Sequence, residues 1–180
     1  MKKVIVFLAD GTEEIEALTP VDMLRRAGAE VTFAGVPAAK CTCSHGVKIT
    51  ADKAACDCVG EEYDMVVLPG GMPGTLNLGA SEDVKKIVTK AYENGKFVAA
   101  ICAAPSVLGG MGLLAGKRAT CYPGFEEKLT GACVVAEKAV RDGNIITACG
   151  AGAAMEFALL LVAALYGEET SENLRKAVLA

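Results

Sequence analysis

Apolar runs of strand length alternate along this chain with amphipathic segments of helix length. "KVIVFLA" (3–9) is apolar at six consecutive positions and predicts a strand covered on both faces. "EEIEALTPVDMLRRAG" (13–28) carries apolar residues at helical spacing and stops at a glycine suited to a C-cap. "EVTFAGV" (30–36) predicts a second strand, "VKIT" (47–50) a short extended piece, and "YDMVVLPGG" (63–71) a buried strand closing on a glycine turn. "SEDVKKIVTKAYENG" (81–95) opens with an N-cap serine and an acidic first turn and ends Asn-Gly, so it predicts a helix. "FVAAIC" (97–102) predicts a strand with a helix following at once. "RATCY" (118–122) predicts another strand, and "VRDGNIIT" (140–147) a hairpin turning at Asp-Gly. A long apolar helix over about 152–166 and a short one over about 171–178 complete the pattern.

This alternation predicts an α/β fold in one domain over residues 1–180, with a mostly parallel sheet and helices on both faces. Ligands of such sheets gather beyond the carboxyl ends of the strands. The turn after Ala9, the Gly70–Gly71 pair and Cys102 all fall at such ends.

Composition narrows the function classes. The net charge is −4 with no basic block, which argues against nucleic acid or an anionic membrane as the main partner. The lysines and short apolar run at the N-terminus stop at Asp10, short of a signal peptide. The longest apolar stretch, "FALLLVAALY" (157–166), is half a membrane span and reads as a buried helix. A cytoplasmic location is expected, in which the eight cysteines stay reduced.

Cys121, Cys133 and Cys149 lie in apolar strand-like runs and are expected to act as small core residues. Cys41 and Cys43, like Cys56 and Cys58, are separated by one residue. Four such thiolates suit tetrahedral zinc, but the spacing is tighter than usual, and surface thiols or a stress-formed disulfide are the favoured reading. No phosphate-loop or dinucleotide fingerprint is present, and neither a metal nor an external cofactor is expected.

Cys102 stands at the corner between a buried strand and the next helix. There a thiol is lifted above the sheet, near unpaired N–H groups that favour a thiolate. Nucleophile elbows use the same geometry. The alternative is a small residue filling a crowded corner.

Four segments then make the sequence recognisable: "GTEEIEALTPVDMLRRAG" (11–28), "DMVVLPGGMPGTLNL" (64–78), "AAICAAPSVL" (99–108) and "GAGAAMEFALLLVAAL" (150–165). Together, and nearly end to end, the chain resembles the ThiJ/PfpI superfamily, and most of all its Parkinson-disease-associated protein deglycase (DJ-one) subfamily. The resemblance implies a flavodoxin-like three-layer α/β/α sandwich and a homodimer. It places the elbow nucleophile at Cys102 and the carboxylic acid that contacts its sulfur at Glu16. It makes Gly70 and Gly71 the turn whose N–H groups face the pocket, and Ala103 a further oxyanion-stabilising backbone group. A poorly solvated carboxyl beside a thiolate is pushed toward its protonated form, in which it donates a hydrogen bond or acts as a general acid. Glu13 and Glu14 read as residues that complement a helix N-terminus.

The chain also departs from the family pattern. In "RATCYPGFEEKL" (118–129), Tyr122 takes the place before proline where relatives often carry a histidine. The sole histidine is His45. A Cys-His amidase or peptidase is therefore the weakest reading. Tyr122 can donate to an oxyanion but is a poor base near neutral pH. His45 stands where relatives often carry an arginine near pocket and dimer interface. Either it forms an anion-attracting rim with Arg26, or it is an ordinary turn residue before Gly46.

The activity implied is that of a cysteine-dependent glyoxalase or deglycase, acting on methylglyoxal-type carbonyls or their early glycation adducts. The alternative is a redox-sensing, stress-protective protein whose Cys102 is oxidised to the sulfinate with little turnover.

Overall fold

A computed structural model describes all residues, 1–180. In chain order the elements are β1 (Lys3–Ala9), α1 (Glu14–Arg26), β2 (Glu30–Val36), β3 (Lys40–Thr42), β4 (Lys48–Thr50) and β5 (Lys53–Ala54). Next come β6 (Met65–Leu68), α2 (Gly74–Ala80), α3 (Glu82–Glu93), β7 (Phe97–Ile101), α4 (Pro105–Gly110), β8 (Arg118–Ala119) and β9 (Cys133–Val134). The chain ends with β10 (Ala139–Asp142), β11 (Ile145–Ala148), α5 (Ala154–Tyr166) and α6 (Glu168–Ala177).

The seven-stranded sheet has the order β10-β11-β7-β6-β1-β2-β5, and only the β10–β11 pair is antiparallel. Its central strands β2-β1-β6-β7-β11 run 2-1-3-4-5 when counted along the chain, the flavodoxin-like order. The chain leaves β1 toward β2 on one side and returns to β6 on the other. The carboxyl ends of β1 and β6 therefore flank a crevice at the switch point.

Side-chain alternation builds the two cores. Ile5, Phe7 and Ala9 of β1 join Val66 and Leu68 in the core beneath α2, α3 and α4. Val4, Val6 and Leu8 point the other way, toward Ala17, Val21 and Leu24 of α1 and Phe157 and Leu161 of α5. Every residue of β1 after Lys3 is buried, as a strand sandwiched between helix layers requires. Outside α5, Leu174 and Val178 pack over Met23, Ala158 and Leu159, which makes α6 a cover on that layer.

Several expectations change in detail. The hairpin pairs Asp142 with Ile145, so its two loop residues are Gly143, at φ +62°, and Asn144. "RATCY" is a strand for two residues only, after which Thr120 N–H donates to Thr147 Oγ1. The segment 74–80 forms a helix that its glycines, threonine and asparagine do not predict. Cys41, Cys43 and Cys58 are buried rather than surface thiols, and no cysteine belongs to a cluster of metal-ligating groups. The Cys41 and Cys58 sulfurs face the carbonyls of Leu8 and Ala54. Of the three expected core cysteines only Cys121 is buried; Cys133 is exposed and Cys149 half-buried. No helix is long and apolar enough to cross a membrane.

Candidate active site

Cys102 follows directly on β7 and adopts φ +65°, in the left-handed region that a non-glycine residue rarely occupies. Two hydrogen bonds hold it there. Its N–H donates to Ala148 O at 2.8 Å, and its carbonyl accepts from Tyr122 N–H at 2.8 Å. The strained backbone is fixed on both sides by neighbouring segments, as at a nucleophile elbow. The side chain is half-buried.

Glu16 reaches the same place from the first turns of α1. Its residue is 1% exposed, and Oε2 accepts from Gly70 N–H at 3.0 Å. Burial pushes its carboxyl up to about 7, against the pull of Cys102 and Gly70. Oε1 is buried with no partner in hydrogen-bond geometry, although the carboxyl and the Cys102 thiol interact.

The thiol is not depressed, contrary to the expectation from a helix start. Burial first, then the Glu16 carboxylate, push it up to about 12, while the N–H groups of Ala103 and Gly71 pull the other way. The following helix, α4, has only six residues and begins at Pro105, so the donors that reach sulfur are individual amides of the two turns.

The glycines make this proximity sterically feasible. A Cβ on Gly70 would lie 2.6 Å from Glu16 Oε2 and 2.7 Å from Cys102 Cβ. Gly71 has φ +90°, and a Cβ there would lie 2.5 Å from Gly11 O and collide with Glu13 N. The turn after β1 and the turn after β6 thus interlock backbone to backbone, tied by Glu13 N–H to Gly70 O at 3.0 Å.

Gly71→Ala is expected to destabilise the fold by about 3 kcal/mol or more, the cost of left-handed backbone plus overpacking. Gly28→Ala is the matching control. It has φ +88° with open space around it and should cost about 1 kcal/mol. Urea unfolding of the two variants measures the difference, and equal midpoints would show that the turns do not interlock.

Three further positions complete the comparison with the sequence. Tyr122 lies beside the elbow, its N–H on Cys102 O and its ring against Gly150, with the side chain half exposed. Arg26 and His45 do not meet. Arg26 pairs with Asp22 at 2.7 Å in the last turn of α1, about 18 Å along the helix from Glu14. His45 instead faces Glu13 and Glu14 at the first turn, and these carboxylates raise its proton affinity. Glu14, read from sequence as a helix-start charge only, is buried and held at about 2 by hydrogen bonds from its own backbone, His45 and Ser44, which outweigh desolvation.

The DJ-1/PfpI family profile matches residues 2–164. The chain belongs to that family. Protein DJ-1 homolog B of Arabidopsis thaliana is 43% identical over 93% of this chain, but the match spans only 39% of that protein. A second Arabidopsis relative is likewise matched over 46% of its length, so this chain is under half as long as either. The glutathione-independent glyoxalase DJR-1.2 of Caenorhabditis elegans is 33% identical, the match covering 96% of this chain and 92% of that one. The crystal structure of Drosophila melanogaster DJ-1beta superimposes with a TM-score of 0.96 at 38% identity, covering 99% and 98% of the two chains. In this DJ-1/PfpI chain the structure brings together Cys102, Glu16, Gly70, Gly71 and Ala103, with Tyr122 alongside. The clasp of Glu13, Glu14, Ser44 and His45 was not foreseen. Its only sequence signal was a histidine where an arginine was expected.

Proposed function

We propose that this protein is a cysteine-dependent glyoxalase of the DJ-1 type, converting methylglyoxal-like 2-oxoaldehydes, or their early adducts, to 2-hydroxy acids. The observation that supports it is the convergence of a strained elbow thiol, a buried carboxyl with a raised proton affinity, and two backbone N–H donors on one sulfur. A relative named as a glutathione-independent glyoxalase supports the same chemistry.

In this reading one proton is shared by Cys102 and Glu16. When Glu16 holds it, the carboxyl is neutral and no longer opposes the thiolate. The thiolate adds to the aldehyde carbon, and the resulting alkoxide takes the Glu16 proton to give a hemithioacetal, leaving Glu16 ionised. Glu16 then removes the proton from that carbon and, through an enediol, delivers a proton to the neighbouring one. The aldehyde carbon is oxidised as the ketone carbon is reduced, leaving a 2-hydroxy thioester. Water cleaves the thioester to the hydroxy acid and frees the thiol. The Gly71 and Ala103 amides stabilise the developing oxyanion. No external redox cofactor enters this balance.

Amide hydrolysis is disfavoured, because the single imidazole is engaged by Glu13 and Glu14. The half-exposed Cys102 sulfur, with donors around it, favours oxidation to the sulfinate as a second reading. The homodimer belongs with the same proposal, supported by the apolar Ile15 and Leu18 exposed one turn apart on α1.

The test is proton NMR of methylglyoxal incubated with the protein in the absence of glutathione. Lactate is the expected product. No lactate, with two oxygens added by peroxide at Cys102 ahead of the exposed Cys56 and Cys133, would replace the glyoxalase reading with the redox one.

A further inference from the structure

Away from the thiol, a cleft of about 570 Å³ lies between α2 and α4, with Lys85 of α3, Lys128 and Thr130 completing its walls. That size is ordinary for a small-molecule site. Backbone contacts give it its shape. Thr75 N–H donates to Gly71 O at 2.9 Å and sets the first turn of α2. Gly79 brings α2 up to α4, since a Cβ there would lie 3.4 Å from Val107 Cγ2. Gly109 lets α4 meet the 3-10 turn Glu126–Lys128, because a Cβ there would collide with Lys128 O.

Charge sets this cleft apart. The chain carries a net charge of −4, and its four other sizeable clefts are each lined by two or more carboxylates. The cleft between α2 and α4 is lined by none, and by two lysines. Lys85 is engaged by Glu82 at 2.8 Å, an i,i+3 pair whose carboxylate is mostly exposed. Lys128 forms no ion pair; its ammonium stands 4.7 Å from the centre of the Phe125 ring.

An orphaned hydroxyl points to an occupant. Thr75 lines the cleft and is 2% exposed, yet its Oγ1 is buried with no hydrogen-bond partner. Leaving a buried hydroxyl unpaired is costly, and such groups ordinarily find a partner. Neighbouring Ser106 does not supply one, since its own hydroxyl donates to Ala103 O at 2.6 Å. An acceptor atom on a ligand in the cleft would give Thr75 Oγ1 its missing bond. Thr130 adds a second hydroxyl, while Leu76, Val107 and Met111 form an apolar wall.

This lining selects one ligand chemistry. A phosphate monoester carries two negative charges for two ammonium groups, with oxygens left to accept from the hydroxyls. Lysines act as point charges that suit phosphate, and no arginine is present to fork a carboxylate. Leu76, 57% exposed, leaves hydrocarbon uncovered for the organic part of the ester.

We propose that the cleft between α2 and α4 binds a phosphate monoester with a small apolar organic part, held by Lys85, Lys128 and the Thr75 hydroxyl. This site is separate from the thiol and does not depend on the glyoxalase reading.

Phenyl phosphate is the probe, titrated into the full chain and followed by the backbone amide NMR signals. Those of Thr75, Val107 and Lys128 are expected to shift saturably. Phenyl phosphate should bind at least tenfold more tightly than inorganic phosphate or benzyl alcohol, each of which offers half of the ligand. Lys128→Gln, at an exposed position, should weaken binding about tenfold or more while leaving the unfolding midpoint unchanged. Thr75→Val should weaken binding about tenfold and, by removing an unpaired buried group, raise the urea midpoint of the free protein. Shifts confined to Gly71 and Ala103 would place the anion at the thiol and overturn the proposal. So would unchanged affinity in Lys128→Gln, or a loss of stability in Thr75→Val, which would show that the hydroxyl already has a structural partner.

Discussion

Cys102→Ser is expected to lower the rate of lactate formation from methylglyoxal by about a thousandfold or more, while leaving the fold intact. Serine keeps the size of the side chain and the two backbone hydrogen bonds that hold φ at +65°. It removes the ionisable sulfur, and the one base beside the corner, the Glu16 carboxylate, is far too weak to ionise a serine hydroxyl. The single histidine is held by Glu13 and Glu14, and Tyr122 is a poor proton acceptor near neutral pH. Lactate assays with wild type and variant, with thermal unfolding to confirm equal stability, measure the effect. A variant that keeps a tenth of the activity would remove Cys102 as the nucleophile. The seven other cysteines give an internal control, because Cys56 and Cys133 are exposed and stand at no elbow.

The second large effect reverses the usual sign of a mutation. Glu16→Gln is expected to stabilise the protein at pH 8 while suppressing turnover about a hundredfold or more. Glu16 has an ordinary carboxyl value of 4.5 when unfolded and about 7 when folded. The folded protein therefore holds this proton more tightly than the unfolded chain. The stability that linkage supplies is fully present below pH 4.5 and is lost as pH rises through 7. Above that, the buried carboxylate costs about 3 kcal/mol relative to its neutral form. Glutamine is neutral at every pH, and its Oε1 still accepts from Gly70 N–H. Urea unfolding in EDTA-containing buffer should show the variant about 2–3 kcal/mol more stable at pH 8 and nearly equal to wild type at pH 4. An advantage that does not grow between those pH values would mean that Glu16 is not the group that gains its proton on folding. Activity should fall because glutamine cannot carry a proton between the two substrate carbons.

The elements around the site were legible in the sequence to different degrees, for physical reasons. β1, β6 and β7 are buried on both faces, so their apolar runs are continuous and their ends are marked by Asp10, Gly70 and Cys102. α3 announces itself through the Ser81 cap and Gly95 at φ +67°. α2 gives no such signal, since Gly74, Thr75, Asn77 and Gly79 are weak helix formers. It forms because neighbouring segments hold it: Thr75 N–H bonds Gly71 O, Asn77 Nδ2 bonds Asp10 O, and Leu78 is buried in the core. The buried cysteines at 41, 43 and 58 were misread for a related reason. Only Cys41 lies in a strand, one of three residues; Cys43 follows it and Cys58 ends a 3-10 turn, and over such short pieces spacing along the chain says nothing of direction.

By itself, then, the sequence determined the alternation of strands and helices, the corner at which Cys102 stands, and the family to which the chain belongs. Burial pattern and end signals are local, and a chain displays them before it folds. Only the tertiary structure decided which groups act on the thiol. Glu13, Glu14 and Glu16 are indistinguishable as letters in one acidic turn. The fold turns Glu16 inward under Gly70, where loss of water raises its proton affinity, and turns Glu13 and Glu14 toward Ser44 and His45. The same burial removes the low thiol pKa that a helix start had suggested. Proton affinity is set by solvent exclusion and by charges a few ångströms away, and both come from segments far apart along the chain.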